Sequence, residues 1–134
     1  MVRRSPISRD DRGAAAVEFA LIAPLLILLV FGIIEFGRVW SARNVYISAA
    51  REGARVAAVG GTAADAKTRV QDASTPYTAP TTGSIIITPA GATPCANNAG
   101  NSVAVSWTQA FELNIAFFSW SPGSYQVRSV FQCE

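Results

Sequence analysis

The chain has no histidine and a single lysine, Lys67. Without histidine it lacks the commonest general base, the usual zinc ligand and every Ser-His or Cys-His nucleophile pair. Serines and threonines are abundant, but with only Lys67 as a base and no glycine-rich phosphate loop, no nucleophile constellation forms. We therefore expect no enzyme, no cofactor and no metal centre. Charge is scarce as well, 15% of the 134 residues, against roughly 25% in an average soluble domain. The net charge of +2 is too small for an electrostatic nucleic-acid binder. The two cysteines, Cys95 and Cys133, lack CxxC spacing and read as one disulfide, which implies the oxidising side of a membrane.

What the chain does have is one long apolar run. Ala14 to Ile34, AAAVEFALIAPLLILLVFGII, holds a single charge, Glu18. As a helix these residues would be ~31 Å long, the thickness of a bilayer's hydrocarbon core. A cleaved secretory signal peptide would have a shorter apolar region and a small-x-small site. Pro24 lies inside the span, where membrane helices tolerate it. Arg3, Arg4, Arg9 and Arg12 precede the span and Arg38, Arg43, Arg51 and Arg55 follow it. The positive-inside rule is therefore tied. The cysteines break the tie, placing the N-terminus in the cytoplasm and the C-terminal part outside it.

A carboxylate in a membrane helix costs a few kcal/mol and is tolerated best beside a positive charge. Glu18 either snorkels to the headgroups or has a partner. It lies five residues after Gly13, which ends a basic segment, MVRRSPISRDDRG. A cut after Gly13 would give Ala14 a new ammonium, and Ala14 and Glu18 stand at i and i+4 on one helix face. Gly13, Ala16, Ala20 and Ala23 form a stripe of small residues. Such a stripe either lets another helix approach closely or simply faces lipid.

A basic leader ending in Gly, then small or apolar residues, Glu at the fifth position and Phe19 next, resembles the processing site of type IV pilins and pseudopilins. Gly13 to Arg55, GAAAVEFALIAPLLILLVFGIIEFGRVWSARNVYISAAREGAR, is similar to the TadE-like segment of tight-adherence (Tad, Flp pilus) systems. The similarity rests on Gly13 with Glu18-Phe19, Pro24, Glu35-Phe36-Gly37-Arg38 and the Ala-Ala-Arg-Glu-Gly-Ala-Arg run at 49–55. It covers about a third of the chain. Phe19 and the additional C-terminal domain point to minor, pseudopilin-like members of the family. The resemblance implies a prepilin peptidase, other pilin-like subunits and the Tad assembly platform as partners, with membrane lipid around the span. It places the protein in a bacterial cytoplasmic membrane as a single-pass subunit. A plain membrane-anchored binding module, not processed as a pilin, is the rival reading.

Beyond the span, Val39, Ala42, Tyr46, Ala49, Ala50, Gly53 and Val56 form one apolar stripe. Span and stalk are expected to be one helix, residues 14–59, after a leader at 1–13. Glu35 with Arg38 and Glu52 with Arg55 are i,i+3 pairs, and Gly60-Gly61 is a stop. Residues 60–134 form the extracytoplasmic domain. Thr62 and Asp65 suggest a capping box opening a second helix up to about Ser74. Breakers from Pro76 to Pro94 bracket a short strand, Ser84 to Thr88. Alternation at Val103, Val105 and Trp107, and from Tyr125 to Phe131, predicts two more strands. Between them FELNIAFFSWSPG reads as a short helix or loop ending at Pro122-Gly123. Its Phe111, Leu113, Phe117, Phe118 and Trp120 either fill the small core, the reading we favour, or form a patch for a partner subunit or the membrane surface. The fold class expected is α+β: a long helix, a second helix and a small three-stranded antiparallel sheet.

Overall fold

A computed structural model describes residues 10–96, 99–115 and 118–134 of the chain. Helix α1 runs without interruption from Asp10 to Ala58, 49 residues with Pro24 inside it. Its apolar lower part and its stalk are one element, as the sequence predicts. At 1.5 Å per residue it is about 73 Å long, more than twice the hydrocarbon thickness of a bilayer. Its start at Asp10 takes in the last four residues of the segment expected to be a leader; residues 1–9 lie outside the described part.

The helix ends where glycine permits a reversal. Gly60 takes φ +87°, and the Gly61 amide donates to the Val56 carbonyl at 2.9 Å. This is the bonding of a Schellman cap, which needs a left-handed residue just after the helix. Helix α2, Ala63–Ala73, follows at once with the expected capping box: Thr62 and Asp65 bond each other's backbone amides. Its buried residues, Ala66 and Val70, pack on α1. The close approach is made at Gly53, where a Cβ would lie 2.3 Å from Val70 Cγ2.

Three antiparallel strands complete the fold: β1 (Ile86–Thr88), β2 (Ser102–Ile115) and β3 (Phe118–Gln132), in the order β1-β2-β3. The architecture is the α+β arrangement read from the sequence. The strand expected to open at Ser84 is shorter, because Ser84 closes a turn on the Thr81 carbonyl. The larger correction concerns residues 111–123. Residues 111–115 and 118–123 are strand, the distal half of a long β2–β3 hairpin, and residues 116–117 lie outside the described part. The register runs from Ser102↔Gln132 to Phe111↔Gly123 and then shifts by one, resuming at Leu113↔Trp120. One extra residue of β3 is accommodated at this bulge, and Pro122 sits there, where a missing N–H costs no ladder bond. Gly123, at φ +152°, takes the backbone conformation the bulge requires.

The core lies between the upper half of α1, α2 and one face of the sheet. Tyr46, Ala49, Ala50, Ala54, Ala57 and Ala58 of α1 meet Val103, Val105 and Trp107 of β2 and Val127 of β3. Tyr46 is its hinge point. Its ring stands edge-on to Trp107 at 6.4 Å between centroids and lies 6.3 Å from Tyr77. Its hydroxyl donates to the Thr78 carbonyl at 2.9 Å. Cys95 and Cys133 are bonded, as expected, tying the end of β3 to the loop after β1. Glu52 departs from the expected pairing. It reaches across to Arg69 of α2 at 3.2 Å instead of Arg55, which places the ion pair over the helix–helix crossing.

Candidate functional site

The lower half of α1 leaves the domain bare. Val17, Phe19, Leu21 and nearly every large apolar residue through Ile34 are exposed, and none of the most apolar stretch is buried by the rest of the chain. An 18-residue window of this helix reaches a mean hydropathy of 2.7. A helix this apolar on every side is stable only if something apolar surrounds it. By length and composition it can cross a membrane once.

The residues singled out for processing and assembly, Gly13, Ala14, Ala16, Glu18, Phe19, Ala20 and Ala23, all sit on this bare segment. Gly13 has no neighbouring atom within 4 Å of where a Cβ would stand, and Glu18 is exposed. At 100° per residue, Ala14 and Glu18 lie about 40° apart on one face. The centre of the small-residue stripe, Gly13, Ala16, Ala20 and Ala23, lies about 180° from Glu18. The two features that the sequence suggested for helix contacts are therefore on opposite sides of the helix. One neighbouring helix cannot meet both.

A second cluster sits where the bare segment ends. Glu35 is only 7% exposed, and the Arg38 guanidinium grips its carboxylate through Nε at 3.0 Å and a terminal nitrogen at 2.5 Å. The same terminal nitrogen donates to the Glu112 carbonyl of β2 at 3.1 Å. This hydrogen-bonded pairing with Glu35 raises the Arg38 pKa above its ordinary value, against the opposing effect of burial. The expected i,i+3 pair is thus also a latch between helix and hairpin. Arg suits this role because its planar fork serves a carboxylate and a carbonyl together. Above it, Arg38, Ala42, Tyr46, Gln109 and Tyr125 line a cleft of about 150 Å³, below the size of ordinary small-molecule pockets. Burial pushes the Tyr46 and Tyr125 hydroxyls up from their usual pKa.

The aromatic segment divides. Trp120 is 55% exposed, so it does not fill the core. Leu113 is half-buried, and the side chains of Phe111, Phe117 and Phe118 lie outside the described part. Sequence reasoning missed Phe36 and Trp40, which stack at 6.3 Å on the surface around Arg38. The available signal was aromatic residues on both sides of the first arginine after an apolar run, the composition of a membrane–water interface. Among the described residues no three His, Cys, Asp or Glu side chains converge in a metal-binding group.

A family model described as TadE-like protein matches residues 13–55. The match begins at Gly13, takes in the bare segment and the Glu35–Arg38 latch, and ends within the part of α1 that the domain grips. No curated protein and no solved structure matches the chain. The match and the long apolar helix together fit a membrane protein related to Tad pili.

Proposed function

We propose that the protein is a minor pilin or pseudopilin of a Flp-type (Tad) adhesive pilus, a structural subunit rather than an enzyme. In this reading a prepilin peptidase removes residues 1–13, leaving Ala14 as the mature N-terminus. The helix then spans the bacterial cytoplasmic membrane once, its N-terminus cytoplasmic and residues after Gly37 outside, and it assembles with other pilin-like subunits on the Tad platform. The observation that carries the reading is the TadE-like match, which begins at residue 13; a cut after Gly13 would make Glu18 the fifth residue of the mature chain.

The physical support comes from the helix. After cleavage, the Ala14 ammonium and the Glu18 carboxylate share a face at the cytoplasmic edge of the bilayer, where a low dielectric makes pairing matter. That carboxylate can meet the N-terminus of a neighbouring helix and set the axial register of two subunits. The small-residue face opposite it offers a second close contact. A helix with two opposed contact faces suits an assembly in which each subunit has neighbours on two sides. The disulfide supports the orientation, because its formation requires an oxidising compartment.

Intact mass of the protein extracted from its own membrane tests the processing step. The mass should lack residues 1–13, and Gly13→Val should restore the full-length mass by blocking the cut. A full-length mass in cells with an active prepilin peptidase would overturn the pilin reading and leave a plain membrane anchor.

A further inference from the structure

The hairpin descends beside α1 towards the membrane, and three contacts mark its path. At the top the Glu134 amide donates to the Ala58 carbonyl at 3.2 Å. In the middle Trp107 meets Tyr46. Lower still the Glu112 carbonyl meets Arg38. From Tyr46 to Arg38 the helix falls about 12 Å, while β2 from Trp107 to Glu112 covers about 17 Å of strand. The strand is therefore tilted by about 45° to the helix.

Arg38 lies about 6 Å beyond Ile34 along the helix axis, which is the depth of one headgroup layer. Glu112 is held at that level by its bond to Arg38. Continuing at the same tilt, β2 falls about 7 Å further between Glu112 and Ile115, to the edge of the hydrocarbon. The residues at this end carry no charge: Leu113, Asn114 and Ile115 on β2, and Phe118, Ser119 and Trp120 on β3. Trp120 pairs with Leu113, just below the Arg38 level, and is 55% exposed. On the helix at the same height, Phe36 and Trp40 are 67% and 56% exposed. Exposed tryptophan beside arginine, at headgroup depth and next to an uncharged strand end, matches the chemistry of a lipid–water interface.

We propose that the distal end of the β2–β3 hairpin is a second membrane contact. Residues 113–115 and 118–120 rest in the outer interface of the same bilayer that α1 spans, with Trp120 among the headgroups. This rests on the membrane-span reading and goes beyond it, because a tethered domain needs no lipid contact of its own. The occupant is lipid rather than a second copy, since the surface is continuous with the span and lies at interface depth. The Glu35–Arg38–Glu112 latch fixes the hairpin's depth, so the domain stands on the bilayer at two points and cannot swivel freely about the helix.

The test uses the full chain reconstituted in phosphatidylcholine vesicles, with and without bromine on the upper acyl carbons. The share of tryptophan emission lost on Trp120→Phe reports that side chain alone, and Trp120→Tyr serves as a second variant should the first fold poorly. Flotation after an alkaline wash reports the span separately. We expect that share to fall at least two-fold in brominated vesicles and to resist aqueous iodide. If the protein floats but the share is quenched by iodide and not by bromine, the hairpin stands in water and the inference fails while the span survives. If neither quencher acts, protein covers Trp120 and the inference also fails. A protein that does not float refutes the span itself.

Discussion

Gly53→Ala adds one methyl where α1 and α2 cross most closely, and its cost can be worked out from the packing. The new Cβ would lie 2.3 Å from Val70 Cγ2 and 3.0 Å from the Ala66 carbonyl oxygen. Carbon atoms in contact prefer about 3.5–4.0 Å, so the overlap with Val70 exceeds an ångström. Val70 is fully buried and stiff at χ1, and the carbonyl belongs to backbone. Neither yields without moving α2. Overpacking of this kind costs about 1–3 kcal/mol, and replacing a helical glycine by alanine returns about 1 kcal/mol. The net expectation is a loss of about 0–2 kcal/mol, or at most about 15 °C in the domain's Tm at the usual sensitivity of small domains. Near-UV circular dichroism of the full chain in detergent follows this melt through Trp107. In a Val70→Ala background the main clash is gone, and Gly53→Ala should become neutral or stabilising, a coupling of about 1–3 kcal/mol. A rise in Tm for Gly53→Ala alone, or an equal loss in both backgrounds, would refute the close approach.

The Cys95–Cys133 bond closes a 38-residue separation, worth about 4 kcal/mol by loop entropy. Denatured, unreduced protein from cells should show no reactive thiol, and the double Cys→Ser variant should melt well below the parent; two free thiols would remove the support for the extracytoplasmic orientation. Burial holds the Tyr46 and Tyr125 pKa values above their unfolded value near 10. Their contribution to stability is therefore complete below about pH 10 and is lost as pH rises from there through the raised folded values. Tyr46→Phe gives up the bond to Thr78, about 1 kcal/mol, yet should flatten the alkaline loss, which chemical denaturation at pH 9 to 11.5 measures.

The helical half of this fold is legible because its signals are local. The Thr62–Asp65 capping box, the Gly60-Gly61 stop and the apolar stripe from Val39 to Val56 each act within a few residues. The hairpin was harder to read for an equally physical reason. The extra residue that β3 carries opposite Glu112 shifts its register and breaks the alternation of that strand, and Pro122-Gly123, ordinarily strand punctuation, sits inside it. Glu52 went to Arg69 because a cross-helix partner competes with an intrahelical one, a contact set only by tertiary packing. Of the candidate site, Glu18 and the small-residue stripe were visible as residues, but their opposition emerges only when the whole segment is one uninterrupted helix. The Arg38 bond to the Glu112 carbonyl spans 74 positions, and no local pattern announces it.

Glu18 decides between a helix built to pair with its neighbours in a pilus, as proposed, and one that merely anchors a domain. Glu18→Gln keeps size and some hydrogen bonding, deletes the charge and relieves the desolvation cost of insertion. The measurement is co-purification of the variant with its pilus partners from cells, scored beside piliation, with insertion and leader removal checked by flotation and intact mass. The variant should insert and be trimmed normally, lose its partners and leave cells poorly piliated. A Glu18→Gln protein that keeps its partners and supports normal piliation would contradict the proposal, reducing the carboxylate to a side chain that snorkels to the headgroups.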